Sequence, residues 1–253
     1  MLVPGMRRGS PWGARREQER IVAVIPALNA ASTLPDVVRR VRDTLRSVEI
    51  CVVDDGSDDD TALVAELLGC LVMRHARNIG KGAALRTGFA AVKEHADTIF
   101  TLDADGQHDP GEMPLFLPPL REGRAEVVVG NRMSTRHGMP LDRYLSNRLS
   151  SLIVSWVAGV RVPDSQCGFR AFRKEVLDAV LLTTSHFDTE SEFIVRCARA
   201  GFRIESVPIT THYEGQASSI SRAIDSFRFV KLMMVLLKEF NGSRQCRTVN
   251  SRQ

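Results

Sequence analysis

From Arg20 onward, short unbroken apolar runs alternate with longer segments whose apolar residues recur every three or four positions. Ile21 to Ile25, Ile50 to Val53, Leu71 to Met73, Thr98 to Leu102 and Val127 to Val129 are the short runs, and each reads as a β-strand. Their hydrophobicity is continuous rather than alternating, which predicts burial on both faces. Between the first two, Ser32 stands where a helix cap is needed, with Pro35 in the first turn and Leu34, Val37, Val38, Val41 and Leu45 along one face. Further helices are predicted from about Thr61 to Leu68 and from about Gly80 to His95, followed by a Pro-rich helical stretch. The alternation predicts an α/β fold with a doubly wound, mostly parallel sheet. From residue 131 the pattern becomes a polar loop, a helix around Arg143 to Val157, a Gly/Cys turn, two more helices and a strand at Arg203 to Ile209. No linker or repeat interrupts it. One domain, residues 20–240 with a C-terminal helical extension, is expected between a disordered basic arm (1–19) and a flexible tail (241–253).

In such sheets ligands bind beyond the carboxyl ends of the strands. The polar punctuation falls there: Pro26 to Asn29, Asp54 to Asp60, and Asp103 to His108. The last is the most informative, because an apolar strand runs straight into Asp103 and Asp105. A one-residue gap in extended chain points both carboxylates the same way, and crowded like charges raise one carboxyl's pKa unless a cation is present. Oxygen-only ligation with open positions suits Mg²⁺ or Mn²⁺ bridging to substrate phosphates. Asp-x-Asp-Gly also opens calcium loops, but the twelfth position from Asp103 is Pro114 and not the bidentate Glu such a loop needs.

Asp54-Asp55-Gly56-Ser57 ends the second strand, where a carboxylate can accept from a base N–H or ribose hydroxyls; Asp58 to Asp60 are expected only to cap the next helix. His75-Ala76-Arg77-Asn78-Ile79-Gly80-Lys81-Gly82 opens the long helix. Its glycines, the unpaired N–H groups of a helix start and the Lys81 charge together suit a diphosphate. It is not a P-loop, since Gly82 stands where Ser or Thr is needed, nor a dinucleotide loop, since Leu85 stands at the third glycine's place. Alone, Gly-Lys-Gly is an ordinary turn with a solvated lysine. Its place beside two acidic motifs, all at one sheet edge, marks a nucleotide site.

Composition adds bounds. With 253 residues, 43% hydrophobic and 25% charged, the chain is an ordinary globular one. A net charge of +4 is spread unevenly, with arginines at both ends and between Arg121 and Arg173, which fits an anionic ligand or lipid surface. At 6% aromatic residues, with no basic recognition helix, nucleic acid is not an expected partner. Five cysteines show no Cys-x-x-Cys spacing and read as reduced thiols. The longest apolar helical run, Phe229 to Leu237, is short and carries Lys231, so a cytoplasmic protein is expected, at most peripheral on the cytoplasmic membrane face.

Six motifs in order, Val24-Ile25-Pro26-Ala27-Leu28-Asn29, Asp54-Asp55-Gly56-Ser57, Asn78-Ile79-Gly80-Lys81-Gly82, Asp103-Ala104-Asp105-Gly106-Gln107-His108, Gly130-Asn131-Arg132 and Cys167-Gly168-Phe169-Arg170, resemble an inverting family 2 glycosyltransferase of the GT-A fold. Over about residues 20–235 the chain is most similar to the dolichyl-phosphate mannosyltransferase or polyprenyl-phosphate glycosyltransferase branch. The resemblance implies a UDP- or GDP-hexose donor whose nucleoside is held by Pro26, Ala27, Asn29 and Asp54, with Asp55 and Asn78 in the same set and Lys81 near the diphosphate. It implies Mg²⁺ or Mn²⁺ among Asp103, Asp105 and Gln107, neutralising the departing nucleoside diphosphate. It also implies that Arg132 and Arg143 clamp the phosphate of a polyprenyl-phosphate acceptor, with Asn147 one helical turn on.

A phosphate acceptor is already anionic and needs no general base. A glycan or protein hydroxyl does, and Asp164 and Glu190 are the spare carboxylates for that alternative. One departure weighs against the lipid phosphate: relatives commonly carry Arg-x-x-Gly-x-Ser-Lys where this chain has His212-Tyr213-Glu214-Gly215-Gln216-Ala217-Ser218-Ser219. From another class, a sugar nucleotidyltransferase would want a Gly-x-Gly-Thr/Ser-Arg loop where Ala27-Leu28-Asn29-Ala30 stands. Two apolar stripes, Leu145, Leu149, Leu152, Ile153 and Trp156, and Ile224, Phe227, Val230, Met234 and Leu237, are expected to pack inward as helical stripes usually do. Arg222, Arg228, Lys231 and Lys238 beside the second make lipid contact its alternative.

Overall fold

The computed structural model describes residues 19–134, 139–186, 188–211 and 228–239. Seven strands, β1 (Ile21–Ala27), β2 (Glu49–Asp54), β3 (Leu71–Arg74), β4 (Thr98–Thr101), β5 (Val127–Asn131), β6 (Arg170–Arg173) and β7 (Ile204–Pro208), form one sheet ordered β3-β2-β1-β4-β6-β5-β7. All neighbours run parallel except β6, which is antiparallel to both β4 and β5. Every residue of β1 is buried, as its unbroken apolar run requires. Helices α1 (Leu34–Thr44), α2 (Thr61–Leu67) and α3 (Lys81–Val92) connect the first four strands, and a 3₁₀ turn (Pro110–Phe116) leads into α4 (Leu117–Arg121). Then come α5 (Leu141–Ala158), α6 (Glu175–Ala179), α7 (Thr189–Arg199) and a helix over residues 228–239, here α8. Phe100, Phe116 and Phe169 pack beneath the sheet's functional edge, with the Phe116 and Phe169 rings 4.5 Å apart.

Four details differ from the sequence expectation. The strand β6 has no apolar run to announce it: Arg-Ala-Phe-Arg places a buried arginine in the sheet because Arg170 donates to the carbonyls of Cys167 and Ser165 at 2.8 and 3.0 Å. At the start of α1 the cap position is taken by Thr33 rather than Ser32, and its hydroxyl donates to Ala104 O at 2.7 Å, so the first helix is tied to the loop after β4. Glu19, expected in the arm, accepts from Thr98 Oγ1 at 2.7 Å and from Arg121 Nε at 2.8 Å and so belongs to the folded body. Residues 1–18 and 240–253 lie outside the described residues.

The fourth difference is the largest. On α5 the stripe expected to be core faces solvent: Leu145, Leu149, Leu152 and Trp156 are 56–71% exposed, and Leu141 extends the row at 58%. Ile153 is half-buried, and the core face is instead Ser151, Val154, Val157 and Ala158. On α8, Val230 and Met234 are exposed, while Leu232, Met233 and Leu236 are buried and Leu237 packs against them. Ile224, Phe227 and Arg222 of the second stripe lie outside the described residues, as does the 212–219 segment. Among the described residues no helix is long and apolar enough to cross a membrane.

Candidate active site

The carboxyl ends of β1, β2 and β4 share one edge, and β6, running the other way, starts there with Arg170 opposite Thr101. At the β2 end Asp54 is fully buried. Its Oδ1 accepts from Ser57 N at 3.0 Å, whereas Oδ2 has no hydrogen bond: Arg74 Nε lies 3.1 Å away but off the bonding line. A buried carboxylate oxygen without a donor is an acceptor waiting for one, as a base N–H or ribose hydroxyl would be. The β1 and β2 loops are stitched around it. Asn29, held in left-handed conformation at φ 51°, accepts from Asp58 N through Oδ1 and donates its own N–H to Ser57 Oγ, both at 2.9 Å. Ala30 N donates to Thr61 Oγ1 at 2.8 Å. Asp59 rather than Asp60 serves the start of α2, accepting from Thr61 N at 3.0 Å.

Asp55, expected to touch the nucleoside, is spent on the fold. It accepts from His75 Nδ1 at 2.7 Å, Ile79 N at 3.1 Å and Gly80 N at 2.8 Å, so both oxygens frame the 75–80 loop. Asn78 Oδ1 likewise accepts from Gly80 N, at 3.0 Å. His75 was not legible as a framing residue, because nothing in local spacing announces a partner twenty residues back. The helix start expected to cradle a diphosphate is also closed. Gly82 N donates to Ser185 O at 2.9 Å and Ala83 N to Gly80 O at 2.9 Å. The glycines serve this contact: a Cβ on Gly82 would sit 1.9 Å from Thr189 Oγ1, and one on Gly80 2.1 Å from Ser185 O. Glu192, fully buried and unremarked in the sequence, secures the same 183–185 segment by accepting from the backbone and hydroxyls of Thr183 and Thr184 and from Arg196 Nε.

What remains of the phosphate expectation is Lys81 itself. Its Nζ lies 2.6 Å from Asp103 Oδ1 and 2.6 Å from Glu190 Oε1. Gly168, from the Cys-Gly-Phe-Arg turn, presses on this pair. A Cβ there would be 3.0 Å from Asp103 Oδ2 and 3.1 Å from Lys81 Nζ, which is why a glycine stands at that position.

Burial opposes a charge on Asp103, but the Lys81 ammonium outweighs it, with His108 and Arg132 adding, and holds the carboxyl down at about 2. Asp105 moves the other way, raised by burial and then by the Asp103 charge, although Gln107 N donates to its Oδ1 at 3.0 Å. A carboxylate raised by its neighbour marks negative charge in excess, and an all-oxygen pair of this kind fits a hard divalent cation. Among the described residues no group of three or more His, Cys, Asp and Glu side chains is arranged for a metal. Asp103, Asp105 and the Gln107 amide would thus supply part of a shell, the rest coming from substrate phosphate and water, as Mg²⁺ and Mn²⁺ sites commonly do. His108, packed on Phe169, is pushed down to about 4 by burial, and the Cys167 thiol is pushed up to about 12, so both are neutral at neutral pH.

Beyond the acidic pair, Arg132 follows β5 and meets Asp164 edge on: Nε donates to Oδ2 at 2.7 Å, Nη2 to Oδ1 at 2.9 Å and the backbone N to Oδ2 at 3.1 Å. Asp164 is fully buried. Arg143 lies in the first turn of α5, and its charge is felt by Asp105. One edge of the sheet therefore carries a buried carboxylate oxygen that accepts no hydrogen bond, a carboxylate pair with an ammonium beside it, and two arginines.

The chain as a whole is similar to known proteins. The model of a family described as glycosyl transferase family 2 matches residues 22–181. The polyprenol monophosphomannose synthase of Mycolicibacterium smegmatis is 30% identical over 83% of this chain and 85% of its own length. The UDP-N-acetylglucosamine–dolichyl-phosphate N-acetylglucosaminyltransferase of Methanococcus voltae is 31% identical over 76% of this chain and 86% of its own. Among solved structures, glucosyl-3-phosphoglycerate synthase from Mycobacterium tuberculosis in complex with Mn²⁺ and UDP-glucose has a TM-score of 0.68 at 23% identity, covering 87% of this chain and 79% of that one. Its complex with UDP has a TM-score of 0.70 at 21% identity, covering 94% and 87%. The seven-stranded sheet is thus a GT-A fold, and this chain belongs to glycosyl transferase family 2 and is a glycosyltransferase.

Proposed function

We propose that the protein transfers a hexose, with inversion and with the help of a divalent cation, from a nucleoside-diphosphate sugar to a polyprenyl phosphate. The observation that carries the acceptor assignment is the engagement of both spare carboxylates. Asp164 is taken by Arg132 and Glu190 by Lys81, which leaves the acceptor side with arginines and neither expected base at liberty. A phosphate oxygen needs no deprotonation, whereas a hydroxyl does. The named relatives act on polyprenol, dolichyl and, in Micrococcus luteus, undecaprenyl phosphates, which supports the same class here.

In this reading Pro26, Ala27, Asn29 and Asp54 receive the nucleoside, with Asp54 Oδ2, which meets Arg74 but accepts no hydrogen bond, accepting from it. Asp55 and Asn78 act indirectly, by holding the 75–80 loop. When bound at Asp103, Asp105 and Gln107, Mg²⁺ or Mn²⁺ supplies positive charge for the departing diphosphate. Arg132, aimed by Asp164, and Arg143 hold the acceptor phosphate so that one oxygen approaches the anomeric carbon opposite the leaving group. The new C–O bond forms as the bond to the diphosphate breaks. Asp164 is a positioning residue for Arg132 and not a base.

The exposed α5 row fits a lipid acceptor. Leu141, Leu145, Leu149, Leu152 and Trp156 lie opposite the helix's core face, on the helix that carries Arg143, and Arg148 and Arg161 flank them. An apolar row with basic neighbours suits an anionic membrane surface.

Kinetics of Asp164→Asn test the assignment. The acceptor KM should rise about tenfold, in line with a weakened charge-assisted contact, with kcat much less affected and no new pH dependence. A kcat collapse with unchanged KM and a lost acidic limb of the pH–rate profile would make Asp164 a general base and point to a hydroxyl acceptor.

A further inference from the structure

The ammonium of Lys81 stands where a cation is wanted. It touches Asp103 Oδ1 at 2.6 Å, and the Gly168 backbone closes over that pair. A second contact, Glu190 Oε1 at 2.6 Å, is made from a carboxylate only 4% exposed at the start of α7. Glu190 is itself fixed, because α7 packs on α5 and on α3, and Glu192 two residues on secures the 183–185 segment. Asp103 therefore shares its ammonium with a rigid anchor.

Resting on the donor reading above, we infer that Lys81 is a resident counter-ion that competes with the divalent cation for Asp103, and that Glu190 is the positioning residue that draws it aside when the donor's diphosphate arrives. A divalent ion and an ammonium on one carboxylate repel each other. Without nucleotide the ammonium holds Asp103 and cation binding is weak. With a diphosphate present, Lys81 gains phosphate oxygens while keeping Glu190, and Asp103 turns to the cation. Cation and nucleotide binding are thus coupled, and by linkage each tightens the other by the same factor. The purpose is economical chemistry: the cation enters with its substrate, and the empty cleft does not hold a bare pair of carboxylates.

The test is Mn²⁺ binding to the full chain, read by electron paramagnetic resonance with and without UDP or GDP, and needs no turnover. Lys81→Met should bind Mn²⁺ about tenfold tighter than wild type without nucleotide, within the usual span of coupling between sites, and should lose most of the nucleotide's enhancement. Glu190→Gln should do the opposite, binding Mn²⁺ more weakly without nucleotide because the carboxylate that shares Lys81 with Asp103 is then gone. Opposite signs separate the device from general damage, which weakens both variants; circular dichroism verifies that each is folded. Equal or weaker Mn²⁺ binding by folded Lys81→Met, or no binding by it at all, overturns the inference. The donor reading fails on a different result, namely wild type that binds neither UDP nor GDP in the presence of Mn²⁺.

Discussion

The donor and acceptor sides of the cleft are built in opposite ways. On the donor side the β1, β2 and β3 loops are sewn together by side chains bonding to backbone: Asn29 to Asp58, Ser57 to Asn29, Thr61 to Ala30, Asp55 to Ile79 and Gly80. Such bonds fix backbone positions, and beside them Asp54 Oδ2 accepts no hydrogen bond. On the acceptor side an ion pair, Arg132 with Asp164, stands beside a helix whose outer face is apolar and exposed. Under the proposed function, the preformed half would read a constant nucleotide and the other half would meet a long, flexible lipid.

The widest separation between the two sides should come from chemistry at their junction. Asp105→Ala is expected to lower turnover by on the order of 10²-fold or more, as removal of other preorganised charge stabilisers does, and steady-state rates at limiting Mn²⁺ measure it; wild-type-like turnover would end the cation's assignment to this residue. On the donor side Asp55→Ala strips a buried framework of three hydrogen bonds. It should cost about 2–4 kcal/mol of stability, visible in urea denaturation, and weaken nucleotide binding through the 75–80 loop that Asp55 frames. If stability drops while nucleotide affinity stays, the donor loops are less interdependent than their bonds imply.

Smaller effects sharpen the contrast. Glu192 is buried, which alone would raise its carboxyl, but the Thr183, Thr184 and Arg196 hydrogen bonds win and hold its pKa below the ordinary value. A depressed folded-state pKa gives stability that is present above the unfolded value and lost as pH falls through the folded one. Glu192→Gln should therefore be less stable than wild type at pH 7 by about 1–3 kcal/mol, with the difference shrinking as pH drops below the glutamate range in thermal melts. The least stability change is expected from Leu149→Ser with Leu152→Ser on α5, within about 0.5 kcal/mol of wild type because both side chains are exposed. Flotation on anionic vesicles should nevertheless fall several-fold. Unchanged flotation would remove the lipid role of that face.

The same contrast governs how much the sequence disclosed. The buried strands were legible because an unbroken apolar run such as Ile21 to Ile25 has one common use, burial in a parallel sheet. The acidic motifs were legible because they follow those strands directly. The strand β6 was not, since Arg170 is accommodated by carbonyls that only the folded turn supplies. The spacing of the glycines around Lys81 suits a phosphate, but it does not reveal the close passage of Thr184, Ser185 and Thr189, about a hundred residues away in the chain. The α5 stripe suggests a core face, but periodicity reports amphipathicity without saying which side meets the protein, and this helix is apolar on both.

The most direct measurement is mass spectrometry of lipid extracts after incubating the full chain with UDP- and GDP-hexoses, Mn²⁺, and either a polyprenyl phosphate or the corresponding free polyprenol. The account expects a Mn²⁺-dependent glycosylated polyprenyl phosphate, abolished by EDTA, and no product from the alcohol. Glycosylation of the alcohol instead, or product formation indifferent to EDTA, would contradict it.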